Sequence, residues 1–258
     1  MKRGEALLGC AGAAGAFAVC ETLSRTGLVP SADLPPASEV LARAVELGGQ
    51  AAFLDGVAAT LQAWAGGLGL ACALAVPLGL LLGSVPAANT AARVLIEFLR
   101  PVPSVALIPL VSLLLGSGTA TTVTLVTYAA VWPILFNTVY GMGETDPVAK
   151  DTLRAFGFGR FAVVLRVALP SAAPFIAAGI RISAATALIL AVATEILAGF
   201  GEGLGIFVAQ AGTATDGTRD VLAGVVWAGL LGLVINSLLV GAERRLFPWT
   251  PDHRARRA

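Results

Sequence analysis

The sequence predicts an all-α integral membrane protein with six transmembrane helices. Of its 258 residues, 57% are hydrophobic and only 13% charged, and the mean hydropathy is +0.84. Soluble domains carry about 25% charged residues, so a chain this apolar takes lipid as its solvent. Six apolar stretches each approach the ~20 residues that a helix rising about 1.5 Å per residue needs to cross the hydrocarbon core. They are too long and too continuously apolar for barrel strands. With the N-terminus placed in the cytoplasm, Arg25, Arg43 and Arg219 are the only basic residues in outer segments. The other 14 of the 17 lie inside, as the positive-inside rule requires.

The first span covers 5–23. Lys2-Arg3 ahead of an Ala-rich run also resembles a signal peptide, and Leu7-Leu8-Gly9-Cys10 resembles a lipoprotein cleavage site. Too few apolar residues precede Cys10 to supply a hydrophobic region of about 7–15, so the segment is read as an uncleaved span. Residues 24–56 form an outer segment with Pro30, Pro35 and Pro36, then an amphipathic helix from Ser38 carrying Val40, Leu41, Val45 and Leu47.

A core domain follows over 57–242. In its first span, 57–83, Ala65, Gly69 and Ala73 repeat every four residues and are expected to support close helix packing. The next span, 93–115, contains Pro101, Pro103 and Pro109, which kink a helix and free carbonyls that a cavity can use. Glu97 and Arg100 are three apart there, and pairing near the cytoplasmic end is favoured over a pathway role. Gly116-Ser117-Gly118 turns the chain into the span 119–141. After an inner loop, 142–174, come spans 175–198 and 220–242. Glu195 lies near the outer end of the first of these. It is placed to cap Gly203-Leu204-Gly205 or to line a pathway, with the structural role favoured because a carboxylate hosts an anion poorly. The tail, 243–258, is basic and holds Trp249 and His253.

Several functions are excluded. A net charge of +1 without a basic cluster argues against nucleic acid. Cys10, Cys20 and Cys72 show no metal or CxxC spacing. His253 is the sole histidine, no HExxH or paired intramembrane aspartates occur, and no GxxxxGK[ST] phosphate loop is present. An intramembrane enzyme is therefore disfavoured, and ATP binding cannot run through a phosphate loop of this chain.

The inner loop is the most informative segment. Asp146-Pro147 reads as an N-cap followed by proline at the first helical position. The helix continues through Lys150, Thr152, Arg154 and Phe156 to Gly157 and Gly159, which end helices readily. Lys150 and Arg154 share one face; Ala149, Leu153 and Phe156 fall on another. A second short helix with Phe161, Val164 and Leu165 precedes Leu169-Pro170 and Pro174. The loop thus presents an apolar patch edged by positive charge.

Here the sequence resembles importer permeases of the ATP-binding cassette superfamily. Those carry a cytoplasmic loop of the form EAA, three residues, Gly, nine residues, Ile, one residue, Leu-Pro. This chain reads Asp151-Thr152-Leu153, Gly157, Val167 and Leu169-Pro170 at the same spacing. Val replaces Ile, and only the acidic character of the triplet is kept.

Other segments are similar to the nitrate, sulfonate and taurine branch. They are Leu34-Pro35-Pro36-Ala37-Ser38-Glu39-Val40-Leu41, Glu97-Phe98-Leu99-Arg100-Pro101-Val102-Pro103, Ala106-Leu107-Ile108-Pro109-Leu110, Ala193-Thr194-Glu195-Ile196-Leu197, Gly203-Leu204-Gly205 and Glu243-Arg244-Arg245-Leu246.

The resemblance implies the type I importer permease fold, a cell-membrane location with both termini cytoplasmic, and no enzymatic activity of the chain itself. It implies as partners two ATPase subunits, an extracytoplasmic solute-binding protein and a second permease copy, with ATP and Mg²⁺ held by the ATPases. The short loop helix, with Asp151, Thr152, Leu153, Arg154, Phe156 and Gly157, would dock on the ATPase. The substrate implied is a small anion such as a sulfonate, taurine or nitrate, with a pyrimidine-type vitamin precursor as the alternative. A secondary transporter or channel leaves the Gly157 to Leu169-Pro170 spacing unexplained.

Overall fold

The computed structural model describes residues 3–30, 32–99, 101–116, 118–198 and 201–249. Its elements are α1 (Arg3–Arg25), α2 (Ala37–Leu47), α3 (Ala51–Ser84), α4 (Pro86–Leu99), a 3-10 turn (Ser104–Leu107), α5 (Ile108–Leu115), α6 (Thr119–Gly143), α7 (Pro147–Ala155), α8 (Arg160–Val163), a π-helical turn (Val164–Ala168), α9 (Leu169–Ala198), α10 (Leu204–Gly212) and α11 (Thr218–Leu246). No strand occurs among the described residues. Four of these helical segments, α3, α6, Arg160–Ala198 and α11, are long and apolar enough to cross a bilayer. At 23 residues, α1 also has the length to span.

The predicted third span, 93–115, is not one helix. Helix α4 starts earlier, at Pro86, and stops at Leu99; the chain resumes helically at Ser104. Pro101 and Pro103 fall in the interruption, because each lacks the N–H that would continue the ladder. Pro109 sits in the first turn of α5, where that missing donor costs nothing. At the break the Leu99 carbonyl accepts from Val102 N at 3.2 Å and from Tyr128 Oη at 2.9 Å.

Helices α3, α6 and α9 make the centre. Leu68, Ala71 and Ala75 of α3 are buried against Val126, Ala130 and Ile134 of α6 and Ala184, Ala187 and Ala191 of α9. Lipid supplies no hydrophobic drive between helices, so small residues that let backbones approach carry the packing. A Cβ at Gly67 would lie 2.5 Å from Val126 Cγ1, and one at Gly79 would lie 2.6 Å from Thr138 Cβ.

The packing stripe is therefore Ala63, Gly67, Ala71, Ala75 and Gly79, all buried. This corrects the predicted stripe: Ala65, Gly69 and Ala73 are exposed, and Gly69 meets nothing within 4 Å. Both sets repeat every four residues, and spacing alone does not choose the face.

At one end of the bundle, α2, the start of α3, α10 and the start of α11 assemble around Phe53, whose ring meets Phe207 edge-on at 4.9 Å and Trp227 at 5.4 Å. Helix α2 turns Val40, Ala44 and Leu47 inward, while Leu41 and Val45 stay exposed. Its N-terminus is tied to α1 by Glu21, which accepts from Ser38 N at 2.9 Å and Ser38 Oγ at 2.8 Å. At the other end, Arg181 of α9 pairs with Glu243 of α11 at 3.0 Å.

The predicted proline-rich entry to the fifth span differs as well. From Arg160 to Ala198 the chain is one 39-residue helical segment. The π-helical turn Val164–Ala168 immediately precedes Leu169-Pro170, and such a widened turn accommodates carbonyls that Pro170 leaves without an N–H partner.

Candidate functional site

Two features stand out at opposite ends of the bundle. At the first, α7 projects from the end of α6. The Asp146 side chain accepts from Val148 N at 2.8 Å, capping the helix at the predicted place. At the far end Gly157 takes φ +82, a left-handed geometry that glycine adopts without a Cβ penalty. Gly157 N bonds Arg154 O at 2.9 Å and Phe158 N bonds Leu153 O at 3.1 Å, so the last carbonyls of α7 are satisfied as the chain reverses.

The two faces of α7 separate cleanly. Lys150 reaches back to donate to Met142 O at 3.1 Å, a cation on the C-terminal carbonyls of α6. Arg154 instead pairs with Asp151 at 3.0 Å and stays exposed. Their shared face predicted from sequence is thus divided between anchoring and solvent. Thr152 bonds its own helix through Val148 O, and Leu153 is half-buried.

Phe156, grouped with Ala149 and Leu153 by periodicity, points outward at 79% exposed; Val148 is 70% and Phe161 77% exposed. Arg166 stacks 4.8 Å over the Phe158 ring. Val167 and Leu169 are half-buried and Pro170 is exposed at the start of α9. The result is an aromatic surface with Arg154, Arg160 and Arg166 around it.

At the opposite end, Glu195 is 5% exposed and Thr60 fully buried. Glu195 Oε2 accepts from Gly205 N at 2.8 Å and from Thr60 Oγ1 at 2.9 Å. Thr60 Oγ1 accepts from Leu204 N at 2.8 Å. A carboxylate therefore sits on the N-terminus of α10, where the first N–H groups lack helical partners and the helix dipole is positive. Beside it lies a small cavity of about 50 Å³ lined by Thr119, Thr122, Glu195 and Glu202. An open cleft of about 460 Å³, with Asp55, Gln50 and Gln210 in its walls, adjoins it.

Sequence reasoning placed Glu195 and Gly203-Leu204-Gly205 together but missed Thr60 and α10 itself. A nine-residue helix lies below the length that periodicity resolves, and Thr60 is one of many threonines in apolar runs.

Glu97 is exposed on α4 and borders, with Asn89, Ile96 and Phe136, a cleft of about 230 Å³. Its predicted partner Arg100 lies outside the described residues, as does His253. Pro101 and Pro103 mark the interruption after α4 and are not brought near Glu195 by any contact described above. No cluster of three or more His, Cys, Asp or Glu residues suited to a metal occurs among the described residues.

Residues 75–250 match the family described as binding-protein-dependent transport system inner membrane component. The chain is 30% identical over 235 residues to the taurine transport system permease protein of Escherichia coli K12, covering 88% of this chain and 84% of that protein. It is 29% identical over 192 residues to the nitrate import permease protein of Leptolyngbya laminosa, covering 74% and 68% respectively. Among solved structures, a chain of the inward-facing MetNI methionine ABC transporter superposes with a TM-score of 0.66 at 20% identity. The match covers 75% of this chain and 95% of that one.

Proposed function

Because the chain belongs to the binding-protein-dependent transport system inner membrane component family, we propose that it is the solute-conducting subunit of an ATP-driven importer, coupled through α7 to a separate ATPase. The observation that carries this is the α7–α8 surface. Phe156 and Phe161 stand more than three-quarters exposed beside Val148 and three arginines, on a segment capped and folded at both ends. Ordered, exposed aromatic residues next to arginine are the composition of a protein contact centred on a few anchors.

In this reading Phe156 and Phe161 enter a groove on the ATPase, and Gly157 gives the surface its reversal. Asp151, Thr152 and Arg154 flank the contact. Leu153, Val167, Leu169 and Pro170 join it to α9. Two ATPases hold ATP and Mg²⁺, a second copy of this chain completes the pathway, and an extracytoplasmic binding protein delivers solute at the Glu195 end. Both termini are cytoplasmic, supported by the 14-to-3 division of basic residues. The solute is a small anion of the sulfonate or nitrate kind, supported by the relatives named above. Pro101 and Pro103 belong to the break between α4 and α5, and in this reading Glu97 and Arg100 have a structural rather than a solute-binding role.

The test is gentle purification of a tagged copy from native membranes. A phosphate-loop ATPase should co-purify in equal amounts and be lost from Phe156→Asp, with the permease still in the membrane. A permease that emerges alone even after cross-linking would sink the reading.

A further inference from the structure

The clasp around Glu195 of α9 joins Thr60 of α3, 135 residues earlier in the sequence, to Leu204 and Gly205 at the start of the following helix, α10. The Thr60 hydroxyl also lies 3.2 Å from Gly56 O, but Glu195 Oε2, at 2.9 Å, is the nearer acceptor for its single proton. The approach needs glycine. A Cβ at Gly203 would lie 2.5 Å from Glu195 Cδ, and one at Gly205 would run into the Val192 carbonyl oxygen. The first turn of α10 is therefore seated directly on the α9 side chain.

Two further facts give the clasp a mechanical sense. Glu195 lies three residues from the end of the continuous helical Arg160–Ala198 segment, whose other end begins just after Gly157 and Phe158. This continuous helical segment, which includes the π-helical turn and Pro174, links the α7 surface to the clasp. In addition, Gly201, Glu202 and Ile206 border both the small cavity and the open cleft. The start of α10 is thus part of the wall between them.

We propose that Glu195 and Thr60 are positioning residues that make α10 travel with α9, so that displacement at the α7 surface moves the wall between the two cavities at the far end. The proposal rests on the reading of the chain as an ATPase-coupled permease. Rigid transfer requires hydrogen bonds that survive the stroke, and a buried, mutually supporting set that also fixes a helix terminus meets that need.

The experiment uses the complete transporter in lipid, with spin labels on the exposed positions Leu197 and Gln210 in one sample and Ala120 and Gln210 in another. Distances are compared without nucleotide and after trapping with ATP and vanadate. The 197–210 distance should stay constant, while the 120–210 distance across the small cavity should change by more than about 3 Å, as expected for a helix shift. In Thr60→Val, ATP hydrolysis should persist while the 120–210 change shrinks by at least about half, and Thr60→Ser should restore it, since only the hydroxyl is at issue.

A 197–210 distance that changes as much as the 120–210 distance overturns the clasp, as does a static 120–210 distance in a hydrolysing complex. If Thr60→Val fails to assemble, the wild-type pair of distances decides alone. If no ATPase binds at all, the coupling reading and the clasp's role fall together. Hydrolysis without movement at 120–210 removes only the clasp.

Discussion

Arg43 Nε lies 2.6 Å from Asp220 Oδ1, with Nη2 3.3 Å from Oδ2, a two-pronged bond between residues 177 apart in sequence. It fixes α2 to the first turn of α11, and Trp227 Nε1 adds a bond to Ala44 O at 2.8 Å on the same contact. Asp220, and next Glu46, push the Arg43 guanidinium above its ordinary value. Both side chains are less than one-third exposed. Arg43→Ala should cost about 1.5–3 kcal/mol, the range for a hydrogen bond to a charged group. Thermal unfolding of the purified protein should drop by a few degrees, and Arg43→Asp with Asp220→Arg together should recover part of what either loses alone. Equal melting of all four proteins would show that the bond carries no stability.

Gly157 offers a prediction in which space and backbone geometry are separable. A Cβ there meets nothing within 4 Å, yet φ is +82. The penalty for a side chain is therefore conformational, about 1–2 kcal/mol for most residues and less for Asn, which tolerates the left-handed region. Gly157→Asn should retain more transport than Gly157→Val, with both at normal membrane levels. Gly157→Trp should lose transport further, because bulk is added where the ATPase would sit. Normal uptake in Gly157→Trp would argue that this turn is not part of the contact.

What the sequence made legible follows physical range. Asp146-Pro147 and Gly157 were readable because caps and left-handed turns are chosen by neighbouring residues. The interruption after Leu99 was half readable: prolines announced it, but the second donor to the Leu99 carbonyl, Tyr128, is 29 residues away and leaves no local signal. Thr60 was not readable at all. Its role depends on α10 arriving beside α3, and nothing within a helical turn of Thr60 reports that approach. The aromatic surface of α7 and α8 was placed correctly as a segment, yet Leu153 and Phe156 part company because the body of the protein lies on one side only.

The two small-residue stripes of α3 make opposite predictions. Val126 and Val123 close on Gly67 within 3.0 Å of a built Cβ, whereas Gly69 is open. Gly67→Val should force α3 from α6, and overpacking of this kind costs about 1–3 kcal/mol or more. Membrane levels and thermal stability should fall. Gly69→Val should leave both within about 0.5 kcal/mol of wild type, because it adds apolar surface where no helix of this chain packs. If Gly69→Val proves as damaging as Gly67→Val while the isolated chain keeps its fold, the exposed face of α3 is covered in the assembly.

Tyr128 tests whether the break between α4 and α5 is held open by a specific bond. Its hydroxyl donates to Leu99 O at 2.9 Å, and its ring meets Trp132 edge-on at 5.8 Å. Tyr128→Phe keeps the ring contact and removes only the donor. The Leu99 carbonyl also accepts from Val102 N at 3.2 Å, so the substitution removes one of two donors, worth about 0.5–1.5 kcal/mol for a typical hydrogen bond. Tyr128→Phe should therefore destabilise the protein by roughly 1 kcal/mol and speed amide exchange around residues 96–103. Tyr128→Leu should cost more, because the aromatic contact is lost as well. Unchanged exchange in Tyr128→Phe would mean that the Val102 N–H satisfies the carbonyl by itself, and that the prolines alone set the break.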